Sequence, residues 1–314
     1  MNVSICITVY NEEGNIAALL DSLIGQSKKA SEIVIVDGGS TDKTVEIIRH
    51  YQKRYGIVKL LTEKVSRAKG RNLGVEIAKN DIVAITDAGC VADQNWLKNI
   101  TAPFATDRVD IVAGFYKMVG STGFQKAESV FLGVTPRKFD VNFLPSTRSM
   151  SFRKSAWEAV GGFPEGKENS AEDTDFNYKA VKLGLKYSRV KNAIVEWGMP
   201  KTLGEFIFKI REYAKWDVKY GIWWHPTQRL ESHNIKAMLI LMRYIVGLTL
   251  LIFGFKYHLL LALLIFGFLI YLLWAYRKIY SEFGEARVSF WGPVLQIASD
   301  YAVIGGFISG IMRN

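Results

Sequence analysis

The sequence predicts an α/β domain built on a mixed sheet, followed by a basic amphipathic helix and two to three membrane-crossing helices. Three observations predict it. Short β-branched runs alternate with helical patterns along the front of the chain, the signature of strands joined by crossover helices. From Lys201 to Tyr220 apolar residues recur at helical spacing among lysines and arginines. Near the end, Ala237 to Phe255 contains one charge, Arg243, and Tyr257 to Tyr276 contains none. These runs are 19 and 20 residues long, about the 20 needed to cross the hydrocarbon of a bilayer. The chain therefore divides into an α/β domain over 1–200, an interfacial helix and linker over 201–234, and a membrane domain over 235–314.

Each element has its own justification. Val3–Val9, Ile33–Val36, Ile57–Thr62 and Ile82–Thr86 read as strands, with amphipathic helices over Gly14–Leu23 and Thr44–Tyr55 between them. After Ala105 the pattern becomes mixed, with strands at Ile111–Val119 and Arg148–Phe152, a helix over Ala171–Leu183, and strands at Tyr187–Val190 and Ile194–Trp197. The amphipathic helix runs into Trp223 and Trp224 and is expected to lie among lipid headgroups just before the first span, with an ordinary surface helix of the domain as the alternative. Ala237–Phe255 and Tyr257–Tyr276, separated by Lys256, form a tight hairpin. A third run, Phe290–Ile311, holds Gly306 and Gly310 at small-xxx-small spacing and reads as a third span. Asp300 within it needs a partner, and Arg243 is the obvious one.

Composition narrows the function classes. With 314 residues, 49% apolar and 13% aromatic, the chain is not disordered. The net charge of +10 divides into +6 up to Asn234 and +4 beyond it, where acidic residues nearly vanish. That asymmetry points to a membrane and not to nucleic acid. Arg229, Lys236, Arg277, Lys278 and Arg287 flank one side of the spans, and only Lys256 marks the hairpin tip. The multi-pass chain is thus expected in the cell membrane with its α/β domain cytoplasmic. Two cysteines, Cys6 and Cys90, are too few and too distant for a disulfide framework. No basic leader precedes the first apolar run, so no signal peptide is expected.

In open α/β sheets ligands bind beyond the carboxyl ends of the strands. Those ends are polar here: Thr8 to Asn11, Asp37 to Ser40, and Asp87 to Gly89. Asp37 is followed by Gly38 and Gly39, which let backbone approach a ligand, and its carboxylate can accept from a base or ribose. Alternatively Asp37 is a turn-forming residue that stabilises the two glycines. Asp87 can hold a divalent cation that neutralises charge on a leaving diphosphate. Asp173 shares a helix face with Phe176, Asn177, Ala180 and Val181 and points inward, where a carboxylate can act as general base. The competing reading is a capping box over Ser170-Ala171-Glu172-Asp173.

The ordered set Ile5 to Glu13, Ile33 to Thr44, Ser66-Arg67-Ala68-Lys69-Gly70-Arg71-Asn72-Leu73-Gly74, Thr86-Asp87-Ala88-Gly89-Cys90, Arg148 to Arg153, Gly161-Gly162-Phe163-Pro164-Glu165 and Ala171-Glu172-Asp173-Thr174-Asp175 resembles family 2 glycosyltransferases of the GT-A, Rossmann-like fold. With its tail of spans, the chain resembles a reduced member of the cellulose-synthase-like branch. The resemblance implies an inverting transferase with a nucleotide-sugar donor and Mg²⁺ or Mn²⁺ as cofactor. It implies that Thr8, Tyr10, Glu12, Asp37, Arg71, Asp87, Ala88 and Gly89 bind the nucleotide sugar, with Arg71 directed toward the diphosphate and Asp87 on the metal. Asp173 becomes the catalytic base, and Arg148, Glu172, Arg211 and Trp216 contact acceptor or diphosphate. Two departures matter. The family's Asp-x-Asp is Asp-Ala-Gly here, which removes one candidate metal ligand at Gly89. The Gln-x-x-Arg-Trp pattern of processive relatives is broken, with Phe208 and Glu212 at the Gln and Trp positions.

The expected activity moves one sugar, with GDP-mannose preferred as donor, to a polyprenyl-type lipid-linked acceptor among membrane lipids. A processive UDP-sugar polysaccharide synthase and a catalytically idle nucleotide-sugar-binding subunit are the alternatives.

Overall fold

A computed structural model describes residues 1–106, 108–165, 171–224, 226 and 233–312. In chain order the elements are β1 (Ser4–Val9), α1 (Ile16–Ile24), β2 (Glu32–Asp37), α2 (Thr44–Arg54), β3 (Val58–Thr62), α3 (Arg67–Ile77), β4 (Ile82–Ile85), β5 (Cys90–Ala92), α4 (Trp96–Thr101) and α5 (Pro103–Thr106). They continue with β6 (Ile111–Val119), α6 (Gly123–Leu132), β7 (Met150–Arg153), α7 (Lys154–Val160), α8 (Glu172–Lys182), β8 (Tyr187–Gly198), α9 (Leu203–Lys219), α10 (His233–Gly254), α11 (His258–Phe283), α12 (Ala286–Ser289) and α13 (Trp291–Met312). Two compact units result, one of Met1–Lys117 with Pro136–Gly198, the other of Met118–Thr135 with Met199–Asn314.

The first unit is an eight-stranded mixed sheet in the order β3-β2-β1-β4-β7-β6-β8-β5. β3, β2, β1 and β4 run parallel, and β7 pairs antiparallel with both β4 and β6. β1 and β2 are almost wholly buried, which is why they read as continuous apolar runs and not as alternating ones. The register pairs Val9 with Asp37 and Asp37 with Thr62, so three strands end level with one another. Under β4 and β7 lies a core containing Phe152, Phe163 and Phe176, with the last two rings stacked 4.7 Å apart. Burying each such ring contributes about 1.5–3 kcal/mol, and the contact holds α8 to the loop after α7.

Helix α3 reaches the sheet because Gly70 and Gly74 lie on one face, four residues apart. A Cβ at Gly70 would stand 3.0 Å from Thr8 Cγ2, and one at Gly74 would stand 3.6 Å from the Cys6 Cβ. The Cys6 thiol donates to the Gly74 carbonyl at 3.2 Å. This close approach sets Arg71 beside the strand ends.

Two expectations need correction. The last strand is continuous from Tyr187 to Gly198, because the polar pair Lys191 and Asn192 is exposed and does not interrupt it. The apolar stripe of α9 is used for protein packing: Phe206, Ile210 and Ala214 are buried, and α9 lies against α13, where a Cβ at Gly306 would come within 2.3 Å of the Arg211 carbonyl oxygen. The short helices α4, α6 and α7 carry too few turns to show a period in sequence. In the second unit α6 is capped by Thr122, whose hydroxyl accepts from the Gln125 amide at 3.1 Å.

Three helices, Asn234–Gly254, His258–Phe283 and Ala286–Met312, are long and apolar enough to cross a membrane. At their contact Asp300, fully buried, accepts hydrogen bonds from Arg243, Tyr271, Tyr244 and Gln296. The expected Arg243–Asp300 pair is therefore present. Arg229 and Ser170 lie outside the described residues.

Candidate functional site

The loops after β1 and β2 are laced together at their strand ends. Asn11, with φ of 52°, accepts from the Thr41 amide at 2.8 Å and donates its own amide to Ser40 Oγ at 2.8 Å. The Glu12 amide donates to Thr44 Oγ1 at 2.7 Å, and the Glu12 carboxylate accepts from Asn15 at 2.8 Å. Asp37 is fully buried, and its carboxylate accepts from the Gly39 and Ser40 amides at 3.0 and 3.1 Å. The turn-forming role is thus real, with Gly39 at φ of +95°. Tyr10 is exposed and Thr8 half-buried against Gly70.

Between this rim and α8 stands a cluster of charges. Arg71 is 2% exposed; its guanidinium donates to Asp87 Oδ1 at 2.8 Å and to Glu172 Oε1. Arg71 therefore ties the end of β4 to the start of α8, and its charge is spent on two carboxylates instead of reaching outward. Arg67 lies 3.9 Å from the same Glu172 oxygen. The Asp87 carbonyl accepts from the Cys90 amide at 3.0 Å, closing a turn through Ala88, which is buried, and Gly89, around which a Cβ would meet nothing within 4 Å.

Arg148 stacks 3.9 Å from the Trp197 ring centroid and 5.2 Å from that of Tyr116, and donates to Ser146 Oγ at 2.9 Å. This fixes a cation on an aromatic platform. The next turn of the same segment is anchored by Ser149, whose hydroxyl donates to the Ala193 carbonyl at 3.0 Å.

Asp173 stands at the first turn of α8, where Oδ1 accepts from the Thr174 amide at 2.8 Å and Oδ2 from the Thr147 amide at 3.4 Å. Burial and the Glu172 charge push its carboxyl above the usual range, against Arg71 and Arg148. For Asp87, burial acts upward but the Arg71, Arg148 and Arg67 guanidiniums outweigh it and hold the carboxyl below the usual range. Glu172 is likewise held low: burial is overcome chiefly by Arg71 and then Arg67. Two adjacent carboxyls are thus driven apart, one kept ionised and one made a better proton acceptor, the arrangement acid–base sites use.

No group of three or more His, Cys, Asp or Glu side chains suited to a metal occurs among the described residues. Asp87 still fits a hard divalent cation. It is ionised, with an oxygen beyond the one that accepts from Arg71, and Mg²⁺-type sites need only one or two carboxylates plus substrate phosphates and water.

Arg211 and Trp216 belong to the second unit. Arg211 donates to Ser309 Oγ at 3.1 Å, and the buried Trp216 indole donates to Glu212 at 3.0 Å beneath the ammonium groups of Lys215 and Lys219. Sequence reasoning missed Arg67, the Trp197–Tyr116 platform and Asn72. The Asn72 amide bonds both the carbonyl and the amide of Phe163 at 2.8 Å and so fixes the Gly-Gly-Phe loop to α3. A polar residue directly after Arg71 on an otherwise small-residue helix face was the available signal.

A mixed sheet whose strand ends gather polar loops and an ionised Asp87, with a raised acid on α8, defines the class: a glycosyl-transferring α/β domain of the GT-A type. Residues 4–158 match the family model for glycosyl transferase family 2, and the chain belongs to that family. The glycosyltransferase AglE of Haloferax volcanii is 30% identical over 169 residues, 52% of this chain and 56% of that protein. A dolichyl N-acetyl-α-D-glucosaminyl phosphate 3-β-D-2,3-diacetamido-2,3-dideoxy-β-D-glucuronosyltransferase of Methanococcus voltae is 36% identical over 102 residues, 31% of this chain and 32% of that one. The chain spans about half the length, or less, of the first of the curated relatives it matches. Among solved structures, a mannosyltransferase of Pyrobaculum calidifontis in complex with GDP-Man and Mn²⁺ aligns over 96% of this chain and 87% of that one, with 19% identity and a TM-score of 0.59. That likeness shows the fold.

Proposed function

We propose that the chain transfers a single sugar from a nucleotide-sugar donor to a lipid-linked acceptor at the membrane, with inversion at the anomeric carbon and Asp173 as general base. The observation that carries this reading is the buried Arg71 bridge, which joins Asp87 and Glu172 and draws Asp173, the next residue of the same helix, into one electrostatic cluster with them. The donor nucleotide rests against the β1 and β2 loops, whose turn the buried Asp37 holds in place through the Gly39 and Ser40 amides. A Mg²⁺ or Mn²⁺ ion held by Asp87 would neutralise charge on the leaving diphosphate. Arg148 adds a fixed cation for that charge. Asp173 takes the proton from the acceptor hydroxyl or phosphate as its oxygen bonds to the anomeric carbon, while the bond to the diphosphate breaks on the opposite side.

Several observations support the finer reading. Three helices long and apolar enough for a bilayer accompany the domain, and the Methanococcus relative's name describes a dolichyl-linked substrate. The Pyrobaculum structure's GDP-Man and Mn²⁺ favour GDP-mannose as the first donor to try. The basic flanks of the hairpin support a cytoplasmic α/β domain by the positive-inside rule. The broken Gln-x-x-Arg-Trp pattern, with Arg211 bonded to Ser309, favours one transfer over processive synthesis.

The test is radiolabel transfer from GDP- and UDP-sugars into extractable lipid, with and without Mn²⁺. Labelled lipid bearing one added sugar is expected. Absence of both transfer and hydrolysis with every donor contradicts the proposal, and long polymer identifies a processive synthase instead.

A further inference from the structure

The three apolar helices are not alike. In α10 and α11 only 11% and 6% of the apolar stretch is buried inside the protein, whereas for the α12–α13 stretch the share is 39%. Apart from the side that carries Arg243, Tyr244 and Tyr271 to Asp300, the hairpin legs expose mostly apolar side chains, which suits lipid. Helix α13 is two-faced: one side exposes Val294, Ile297, Tyr301 and Ile308, and the other buries Gln296, Asp300, Gly306 and Gly310.

That packed side meets α9 backbone to backbone. A Cβ at Gly306 would lie 2.3 Å from the Arg211 carbonyl oxygen, and one at Gly310 would lie 2.8 Å from the Lys215 carbonyl oxygen. Both partners advance by four residues, so the two helices run in the same direction with glycine letting them touch. Helix α9 carries Lys209, Arg211, Glu212, Lys215, Asp217 and Lys219 within its last eleven residues. Fastened along the second half of α13, these charges go wherever that half goes. Carrying these Asp, Glu, Lys and Arg side chains toward the centre of a bilayer is strongly disfavoured. The first half alone, 291–300, is about 15 Å long, half of the roughly 30 Å of hydrocarbon.

We propose that α13 does not cross the membrane, and that it lies with α9 at the face from which the α10–α11 hairpin enters. The proposal rests on the membrane reading above and refines it from three spans to one inserted hairpin. Arg243 lies near the middle of the Asn234–Gly254 stretch with a side chain 42% exposed, and it is paired there with the closed-off Asp300 of α13, so its charge is compensated at that level. The exposed Trp223 and Trp224 just ahead of α10 mark the level at which the hairpin enters.

The experiment uses the full chain in sealed native-membrane vesicles. Met312→Cys and Trp224→Cys are made singly in a background lacking Cys6 and Cys90, both of which are buried, and treated with a membrane-impermeant maleimide before and after permeabilisation. Met312 and Trp224 are exposed, so neither change threatens the fold, and Ile311→Cys serves as a second reporter beside Met312. The expected result is that all three sites label from the same face. Labelling of 311 and 312 from the face opposite 224 overturns the proposal. A carbonate wash separates the two claims: protein released by the wash defeats the membrane reading itself, whereas protein retained with 224 and 312 on opposite faces defeats only the topology.

Discussion

Among the described residues two arginine–carboxylate clusters each hide one partner, and they are built in opposite senses. In the α/β domain the guanidinium is hidden: the Arg71 side chain is 3% exposed, and its partner Asp87 is 28% exposed. In the helical unit the carboxylate is hidden: Asp300 is closed to solvent and Arg243 is 42% exposed. Asp300 accepts from four side chains on α10, α11 and α13, so its lone pairs are spent on protein. Asp87 shares one oxygen with Arg71 and keeps acceptor capacity for something else. The difference separates a cluster with acceptor capacity to spare from a cluster that only fastens.

Breaking each cluster should expose this difference. Arg71→Met leaves Glu172 and Asp87 without their buried partner, and removal of one member of such a pair costs about 3–5 kcal/mol. Thermal unfolding should shift sharply and sugar transfer should disappear with it. Asp300→Asn, which keeps the shape and one acceptor oxygen, should lower the stability of the detergent-solubilised protein while leaving turnover per folded molecule close to the parent's. Equal losses of turnover in the two variants would erase the distinction.

A smaller effect is expected where α9 meets α13. Gly306→Leu forces a side chain into the Arg211 backbone, and overpacking of this kind costs about 1–3 kcal/mol. Urea titration should show a lower midpoint, and Gly305→Leu, whose Cβ has only the Arg211 Nε at 3.9 Å, should be milder. The smallest effect is in pH dependence. Asp173 is held above the ordinary carboxylate value of about 4, so as a base it is activated only as pH rises through that raised value. Its proton is bound more tightly folded than unfolded, so ionising it costs stability as pH rises. Asp87 and Glu172, held low, contribute stability that is present above the ordinary value and lost as pH falls. Because the Glu172 charge helps raise Asp173, Glu172→Gln should move the acid limb of the pH–rate profile to lower pH. An unmoved limb would mean that the two acids do not communicate.

Much of the α/β domain was legible in sequence because buried parallel strands must be continuously apolar and their ends must be polar where a ligand sits. Ile111–Val119 was legible to the residue. Asp37, Asp87 and Asp173 stood out because each follows a structural boundary. What was not legible depends on long-range partners. Arg71 meets Glu172 across 101 positions, and nothing local distinguishes an arginine aimed at a diphosphate from one locked between two acids. The apolar stripe of α9 was visible, but a stripe does not say whether lipid or glycine-faced α13 covers it. The spacing of Gly306 and Gly310 indicated close helix packing without naming the partner.

The central claim is that Asp173 removes the acceptor's proton. The direct measurement is donor binding and sugar transfer for Asp173→Asn, side by side with the parent protein. General-base loss lowers turnover by about 10²–10⁴-fold, and the account predicts a fall of that size with donor affinity retained and the unfolding midpoint little changed. Unchanged turnover would contradict it and leave Asp173 as no more than a residue of the first turn of α8.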